Sequence, residues 1–528
     1  MIRHWGMWVC VLCVIGCSRE LPRAPEPKAD ASIDKMDDVA GEVHVAPDAP
    51  DSGVRSDAGR ASAPAAGGFD AGRATVVTGG AGAGGAAGGA GTMTAAGAPA
   101  AMSGGAGQPA AGSDAPPKPD GQGIKSSDEV FRDDVLRTYE LTFTDEDWAE
   151  LQRTATQEIF VPVMLSVEGK QIGKVGVRYK GAFGTLQGCF NNGEQVCRKL
   201  SMKVKFDEYD PNLRFHGLKK LNFHSSLRDG SHLHERLGYK LFREFGVLAP
   251  RSAHARIQIN GVYKGLYNLT EEVDGRFTDY RFEGAEGQGT VYKEAWPSFS
   301  QDPGYYADAQ QTNEGSSTAK IVQFADALAG AMSTQLGAVV TSWMDPTATL
   351  HYLAVHNAIK HWDGPLTFYC NDADSCGNHN YFLYESATRN QLALVAWDLD
   401  NIFYEKPITD QAKVPEWYEP VADCDRRWHA DETGDDFLAP GCDRLVKGFV
   451  QLGLDKFGAT LDELLAGPLQ VAPLQADVDR WAAQIDESVK TDPAGSGYED
   501  WRGNVDYLKT MIGKRRTAIQ ALRDELSP

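Results

Sequence analysis

Asp363, the pair His379-Asn380, Asp398 and Asp400 are the residues of this 528-residue sequence whose types and spacing suit chemistry. Asp363 stands in the polar stretch His361-Trp362-Asp363-Gly364-Pro365, just after an apolar helical pattern. His379-Asn380 opens the apolar run 381–384; a polar turn, 385–391, leads to the run 392–396, which predicts a β-hairpin. The second strand ends in Trp397-Asp398-Leu399-Asp400-Asn401. A loop carboxylate, an amide and a carboxylate at a strand end are what phosphoryl transfer requires. One oxygen takes a hydroxyl proton, and hard oxygen donors hold a divalent cation against phosphates.

Those residues must be positioned by the elements before them. The stretch 136–143 alternates as a strand, and Thr144 then caps a helix, with Asp147 three residues on and Trp148 and Leu151 on its apolar side. Strands are expected at 162–167 and 174–179, followed by Lys180-Gly181-Ala182-Phe183-Gly184, a segment able to turn over a phosphate without matching a full glycine-rich fingerprint. Lys199-Leu200-Ser201-Met202-Lys203-Val204-Lys205-Phe206 alternates strictly, so Lys199, Ser201, Lys203 and Lys205 share a face. That face is either solvated or a phosphate-holding surface.

A helix is expected over 231–245, with Ser231 as N-cap and Gly246 as its end; Leu233, Leu237, Leu241 and Phe245 recur on one side. Asn260-Gly261 between 254–259 and 262–269 predicts a hairpin with a type I′ turn. Glu271 and Glu272 follow, either to pair with a lysine of the 199–205 face or to stand exposed. Residues 291–293 read as a short strand, 304–317 as a polar insertion and 319–329 as a helix. Asp345-Pro346 starts another helix, which delivers the chain to Asp363. Helical pattern fills 477–526, with Trp481, Ile485, Tyr507, Leu508, Ile512, Ile519 and Leu522 as core candidates and Lys514-Arg515-Arg516 as a solvated face.

Residues 1–17 combine Arg3 and His4 with the apolar run 5–15 and Val14-Ile15-Gly16-Cys17. This is the pattern of a secretory signal. Its ending is similar to a bacterial lipobox, which predicts Cys17 as a lipidated first residue; an ordinary cleaved signal is the alternative. Ser18 in place of Asp after it points, by resemblance to Gram-negative lipoproteins, to the outer membrane. No later apolar run is long enough to span a bilayer, so membrane contact is expected through the lipid alone. Residues 18–125 are rich in Ala, Gly, Pro, Ser and Asp and read as a disordered spacer, leaving 126–528 as the folded domain.

Nine cysteines are present, three of them in the signal. The other six come in close pairs, Cys189 with Cys197, Cys370 with Cys376 and Cys424 with Cys442, which predicts local disulfides in an exported protein over a zinc site. A net charge of −21 with no basic stretch argues against a nucleic-acid partner.

Taken together, Lys199–Phe206, the segment Ile259-Asn260-Gly261-Val262-Tyr263-Lys264-Gly265-Leu266-Tyr267 with Glu271 after it, Val291-Tyr292-Lys293, His379-Asn380-Tyr381-Phe382-Leu383-Tyr384 and Trp397-Asp398-Leu399-Asp400 resemble the spore-coat protein H (CotH) kinase family over roughly 136–526. The resemblance implies an α+β, atypical protein-kinase-like two-lobed fold, with a β-rich N-terminal lobe and a mainly helical C-terminal lobe. It implies Asp363 as the residue that accepts the proton of a protein hydroxyl. Asp398, helped by Asn380, would hold Mg²⁺ (or Mn²⁺), with Asp400 as second ligand or support. Lys203, with Lys199 as alternative, and Glu271 would serve ATP. One departure stands out: 365–378 intervene between Asp363 and His379-Asn380, where the family has a few residues. If the insertion loops out as a disulfide-closed hairpin, Asp363 and Asn380 converge. Two readings follow, a lipid-anchored envelope phosphotransferase and a non-catalytic envelope or surface binding protein on the same scaffold.

Overall fold

The computed structural model describes residues 123–182, 185–191, 194–370 and 375–526. The signal, Cys17 and nearly all of the spacer lie outside the described residues. Among the described residues, no helix is long and apolar enough to cross a membrane.

The N-terminal part is built on β1 (Arg137–Thr142), α1 (Asp145–Arg153), β2 (Val161–Val167), β3 (Lys170–Tyr179), the small hairpin β4 (Phe190–Asn191) and β5 (Glu194–Gln195), then β6 (Met202–Lys205), β7 (Lys220–His224), α2 (His234–Glu244), β8 (Ser252–Ile259) and β9 (Val262–Glu271). Seven of these strands close into a barrel in the order β1-β2-β3-β6-β7-β9-β8, all neighbours antiparallel except β1 and β8. Period-two alternation explains the interior: Val161, Val163, Leu165 and Val167 of β2, Val175 and Val177 of β3, and Met202 and Val204 of β6 are buried in one apolar cluster. Thr144 caps α1 by accepting from the Asp147 N–H, as expected. Asn260 and Gly261 both have positive φ, the requirement of a type I′ turn.

Two local expectations are corrected here. Helix α2 starts at His234 rather than at Ser231, because a carboxylate reaches over from outside the helix. Asp229 accepts from the Ser231 N–H and hydroxyl and from the His234 N–H, so Ser231 is itself held instead of capping. The polar face of 199–205 is not solvated either. Lys199 and Ser201 are buried, and Lys203 is half-buried in an ion pair.

After the barrel come α3 (Gly275–Arg281), β10 (Thr290–Lys293), α4 (Pro303–Ala309), α5 (Ala319–Gly330), α6 (Leu336–Trp343) and α7 (Pro346–Ile359). The insertion read as merely polar thus contains α4, started by Asp302 and Pro303. β11 (Phe368–Cys370) and β12 (Cys376–Gly377) follow, then β13 (Tyr381–Glu385), β14 (Leu392–Ala396), α8 (Ile408–Gln411), β15 (Trp428–Ala430) and β16 (Asp435–Leu438). The chain ends in α9 (Arg444–Val450), α10 (Leu454–Ala466), α11 (Val471–Lys490) and α12 (Tyr498–Glu525). A three-stranded sheet, β10-β13-β14, carries the expected hairpin, and a four-stranded sheet runs β12-β11-β16-β15. The large second core gathers α2, α5–α7 and α9–α12, with Trp481, Ile485, Leu508, Ile512, Ile519 and Leu522 buried as expected and Tyr507 packed at its edge.

All three disulfides join the expected cysteines. Lys514 is exposed against Glu405, but Arg515 and Arg516 are not a solvated face. Arg515 donates to the carbonyls of Asn357 and Ala358, and Arg516 to those of Leu465 and Leu469. Each satisfies the open end of another helix, where carbonyls lack intrahelical partners.

Candidate functional site

The site forms where three chain reversals meet. Helix α7 ends at Lys360, in the left-handed region, and turns the chain into the loop carrying Asp363. Strand β14 ends in the turn 398–401, and Phe403 N–H donates to the Ile359 carbonyl at 2.7 Å, tying that turn to the end of α7. Asn380, at positive φ, stands before β13, with its N–H on Glu294 Oε1 at 3.1 Å.

The insertion does loop out. Cys370–Cys376 closes the β11–β12 hairpin, and the Asn380 amide donates to the Asp363 carbonyl at 2.7 Å. The Asp363 carboxylate is fixed from three sides. Oδ1 accepts from the Tyr369 hydroxyl at 2.6 Å and lies 2.8 Å from His379 Nε2; Oδ2 accepts from the Asn401 amide at 3.1 Å. Burial by itself would raise this carboxyl, but the bond and charge of His379, with the Tyr369 and Asn401 bonds, outweigh it and hold the group below its usual range. His379 is correspondingly raised: burial opposes its charge, and the Asp363 carboxylate overcomes that. The Asp363 side chain remains 17% exposed.

Asp398 and Asp400 are half-buried nearby. Both carboxyls are raised, Asp398 by burial and then by the Glu235 charge, Asp400 by burial and then by Asp398. His224 and Lys180 offset only part of this for Asp398, so like charges crowd in an arrangement that a cation would relieve. Asp398 sits at positive φ, with its N–H held by the Tyr239 hydroxyl at 3.1 Å, and the Asp400 carbonyl faces His234 Nδ1 at 3.1 Å.

A second charged cluster stands on the barrel strands. Lys203 Nζ donates to Glu272 Oε1 at 2.7 Å, and the Asn222 amide holds Glu272 Oε2 at 2.7 Å. Burial draws Lys203 down to about 8, still protonated at neutral pH. Burial would raise Glu272, but Lys203 and Lys220 keep it well below its usual range. Lys180, at the end of β3, lies 2.8 Å from His224 Nε2, whose Nδ1 is 2.7 Å from Glu235 Oε1. Burial lowers its ammonium, the charges of Asp398 and Glu272 oppose that, and Lys180 so links the acidic and basic parts.

Two expected residues stand elsewhere. Lys199 is buried on the Leu266 carbonyl at 2.6 Å and Asp492 at 3.2 Å, a bolt between β9 and the loop after α11. Gly265 is required beside it, since a Cβ there would lie 2.4 Å from Asp492 Oδ1. Glu271 is buried between Arg251 and Arg281 and takes no part in a lysine pair; the next residue, Glu272, takes that place. Lys180, Asn401 and Tyr369 escaped assignment, and Glu272, read with Glu271 as a possible lysine partner, is the one of the two that pairs. Lys180 opens the turn expected over phosphates, and Asn401 directly follows the acidic pair, so adjacency to a motif was the available signal.

Among the described residues, no group of three or more His, Cys, Asp and Glu side chains could hold a metal ion. Magnesium does not require one: one or two carboxylates with phosphate oxygens and water suffice, and the Asp398–Asp400 pair fits that donor set.

A family profile described as CotH kinase protein matches residues 177–519. Inner spore coat protein H of Bacillus subtilis (strain 168) is 25% identical over 139 residues, 26% of this chain; the match spans 34% of that relative. Among solved structures, the HipA–HipB–operator DNA complex of a Shewanella oneidensis MR-1 toxin–antitoxin system aligns at 13% identity over 61% of this chain and 66% of that one, TM-score 0.24. The Helicobacter pylori proinflammatory kinase CtkA aligns at 9% identity over 61% of this chain and 96% of that one, TM-score 0.25.

Proposed function

As the chain belongs to the CotH kinase family, we propose that it is an exported, lipid-anchored phosphotransferase on an atypical two-lobed kinase-like fold, moving the ATP γ-phosphoryl group to protein hydroxyls. The observation that carries this reading is Asp363, a charged carboxylate held by three side chains yet open to a hydroxyl. Its task is to orient the acceptor and receive its proton, while His379 and Asn401 keep the carboxylate aimed. Lys203, kept in place by Glu272, and Lys180 supply positive charge for the nucleotide phosphates. Asp398 and Asp400, with the Asn380 amide close by on the Asp363 loop, would hold magnesium. Magnesium bound there would neutralise phosphate charge.

Three disulfides support folding in an oxidising compartment. The lipobox-like Cys17 and the long spacer support an anchor with reach, at the outer membrane, with no nucleic acid as partner. The test is transfer from γ-labelled ATP with Mg²⁺ or Mn²⁺ to a general protein acceptor. Asp363→Ala should lower it by about 10²–10⁴-fold and Asp398→Ala likewise, with unfolding midpoints near that of the parent. Retained transfer in both variants overturns the reading. Ca²⁺ affinity without any response to Mg-ATP would favour the non-catalytic binding protein.

A further inference from the structure

The phenol of Tyr369 occupies the position that a substrate hydroxyl takes in the reading above. It donates to Asp363 Oδ1 at 2.6 Å, the oxygen assigned to receive the acceptor proton. The ring is held there from both sides, stacked on His379 at 4.9 Å between centroids and against Phe437 at 5.0 Å. The backbone fixes it as well. Tyr369 pairs with Gly377 on one side and Phe437 on the other, and the next residue is pinned by Cys370–Cys376. Tyr369 is also delivered by the 365–378 insertion, the part of the chain that departs from the family pattern.

We propose that Tyr369 is an internal phosphoacceptor, modified in cis by the site it faces. This rests on the phosphotransfer reading. In the step, a bond forms between Tyr369 Oη and the γ-phosphorus of ATP, and the bond from that phosphorus to the β–γ bridging oxygen breaks. The phenol proton passes to Asp363, and ADP leaves with the bridging oxygen. The product carries a phosphate with close to two negative charges beside the carboxylate of Asp363. Like-charge repulsion would drive the side chain off Asp363 and free that oxygen for an external acceptor.

The full chain, disulfides formed, is incubated with γ-labelled ATP and Mg²⁺ beside a general protein acceptor. After reduction, the tryptic peptide 361–389 is sequenced by fragmentation, which separates Tyr369 from Tyr381 and Tyr384. Label on Tyr369, at a first-order rate unchanged over a tenfold range of protein concentration and absent from that peptide in Tyr369→Phe, is the expected result. A labelled external acceptor with an unlabelled Tyr369 overturns this proposal and leaves the phosphotransferase standing. A rate that rises with protein concentration overturns modification in cis. No label on any protein overturns both.

Discussion

Lys199 separates a fold-holding lysine from a nucleotide-binding one. Its ammonium and Asp492 are buried, with side chains 3% and 1% exposed, and the Leu266 carbonyl takes a further bond. Lys199→Met keeps the apolar stem and removes the charge. It strands Asp492, which retains the Leu266 and Ala494 N–H groups, each at 2.8 Å, but no cation. Removing one partner of such a buried pair costs about 3–5 kcal/mol. With an unfolding entropy of about 2.1 cal/mol/K per residue over roughly 400 residues, that corresponds to a melting shift of ~4–6 °C. Calorimetry of the parent and variant reads this directly, and Mg-ATP should raise both midpoints by the same amount. Adding Asp492→Asn should recover part of the loss, because a neutral amide strands no charge; a coupling of roughly 1–3 kcal/mol is expected. A variant that melts with the parent but no longer responds to Mg-ATP would refute the reasoning and return Lys199 to the nucleotide.

Glu271 should set part of the acid stability. Burial would raise its carboxyl, but Arg281 and Arg251 bring it from 4.5 down to about 2. A depressed carboxyl contributes fully above pH 4.5 and loses that contribution as the pH falls toward 2, about 3 kcal/mol here. Glu271→Gln should therefore flatten the fall in urea stability over that interval, and parallel curves would count against it. The double variant Cys370→Ser/Cys376→Ser opens a short loop, costing roughly 2 kcal/mol. Because that loop presents Tyr369 to Asp363, labelling of Tyr369 should drop as well. Unchanged midpoint and unchanged Tyr369 labelling would show that the hairpin holds itself.

Much of the fold was legible because its signals are local. Alternation in 161–167 and 202–206 reflects one buried face, Thr144 and Asp345 mark helix starts, and Asn260-Gly261 permits only a tight reversal. Cysteines 6, 8 and 18 residues apart found one another for the same reason. Even the convergence of Asp363 and Asn380 follows from a looped-out hairpin between two nearby cysteines.

Partnership between charges was decided only in three dimensions. Periodicity places Lys199 and Lys203 on one face, yet one meets Asp492, 293 residues away, and the other meets Glu272. Adjacent Glu271 and Glu272 point to opposite faces of the sheet, so two arginines claim one and a lysine the other. Ser231 reads as a cap, but its hydroxyl takes only the Leu233 N–H, and the His234 N–H that opens the helix goes to Asp229. Arg515 and Arg516 look solvated until the ends of α7 and α10 arrive beside them. The sequence by itself determined which residues could carry charge, turn the chain or fill a core. Burial turns those charges into obligatory pairs, and which pairs form depends on close approaches between distant segments that local pattern does not encode.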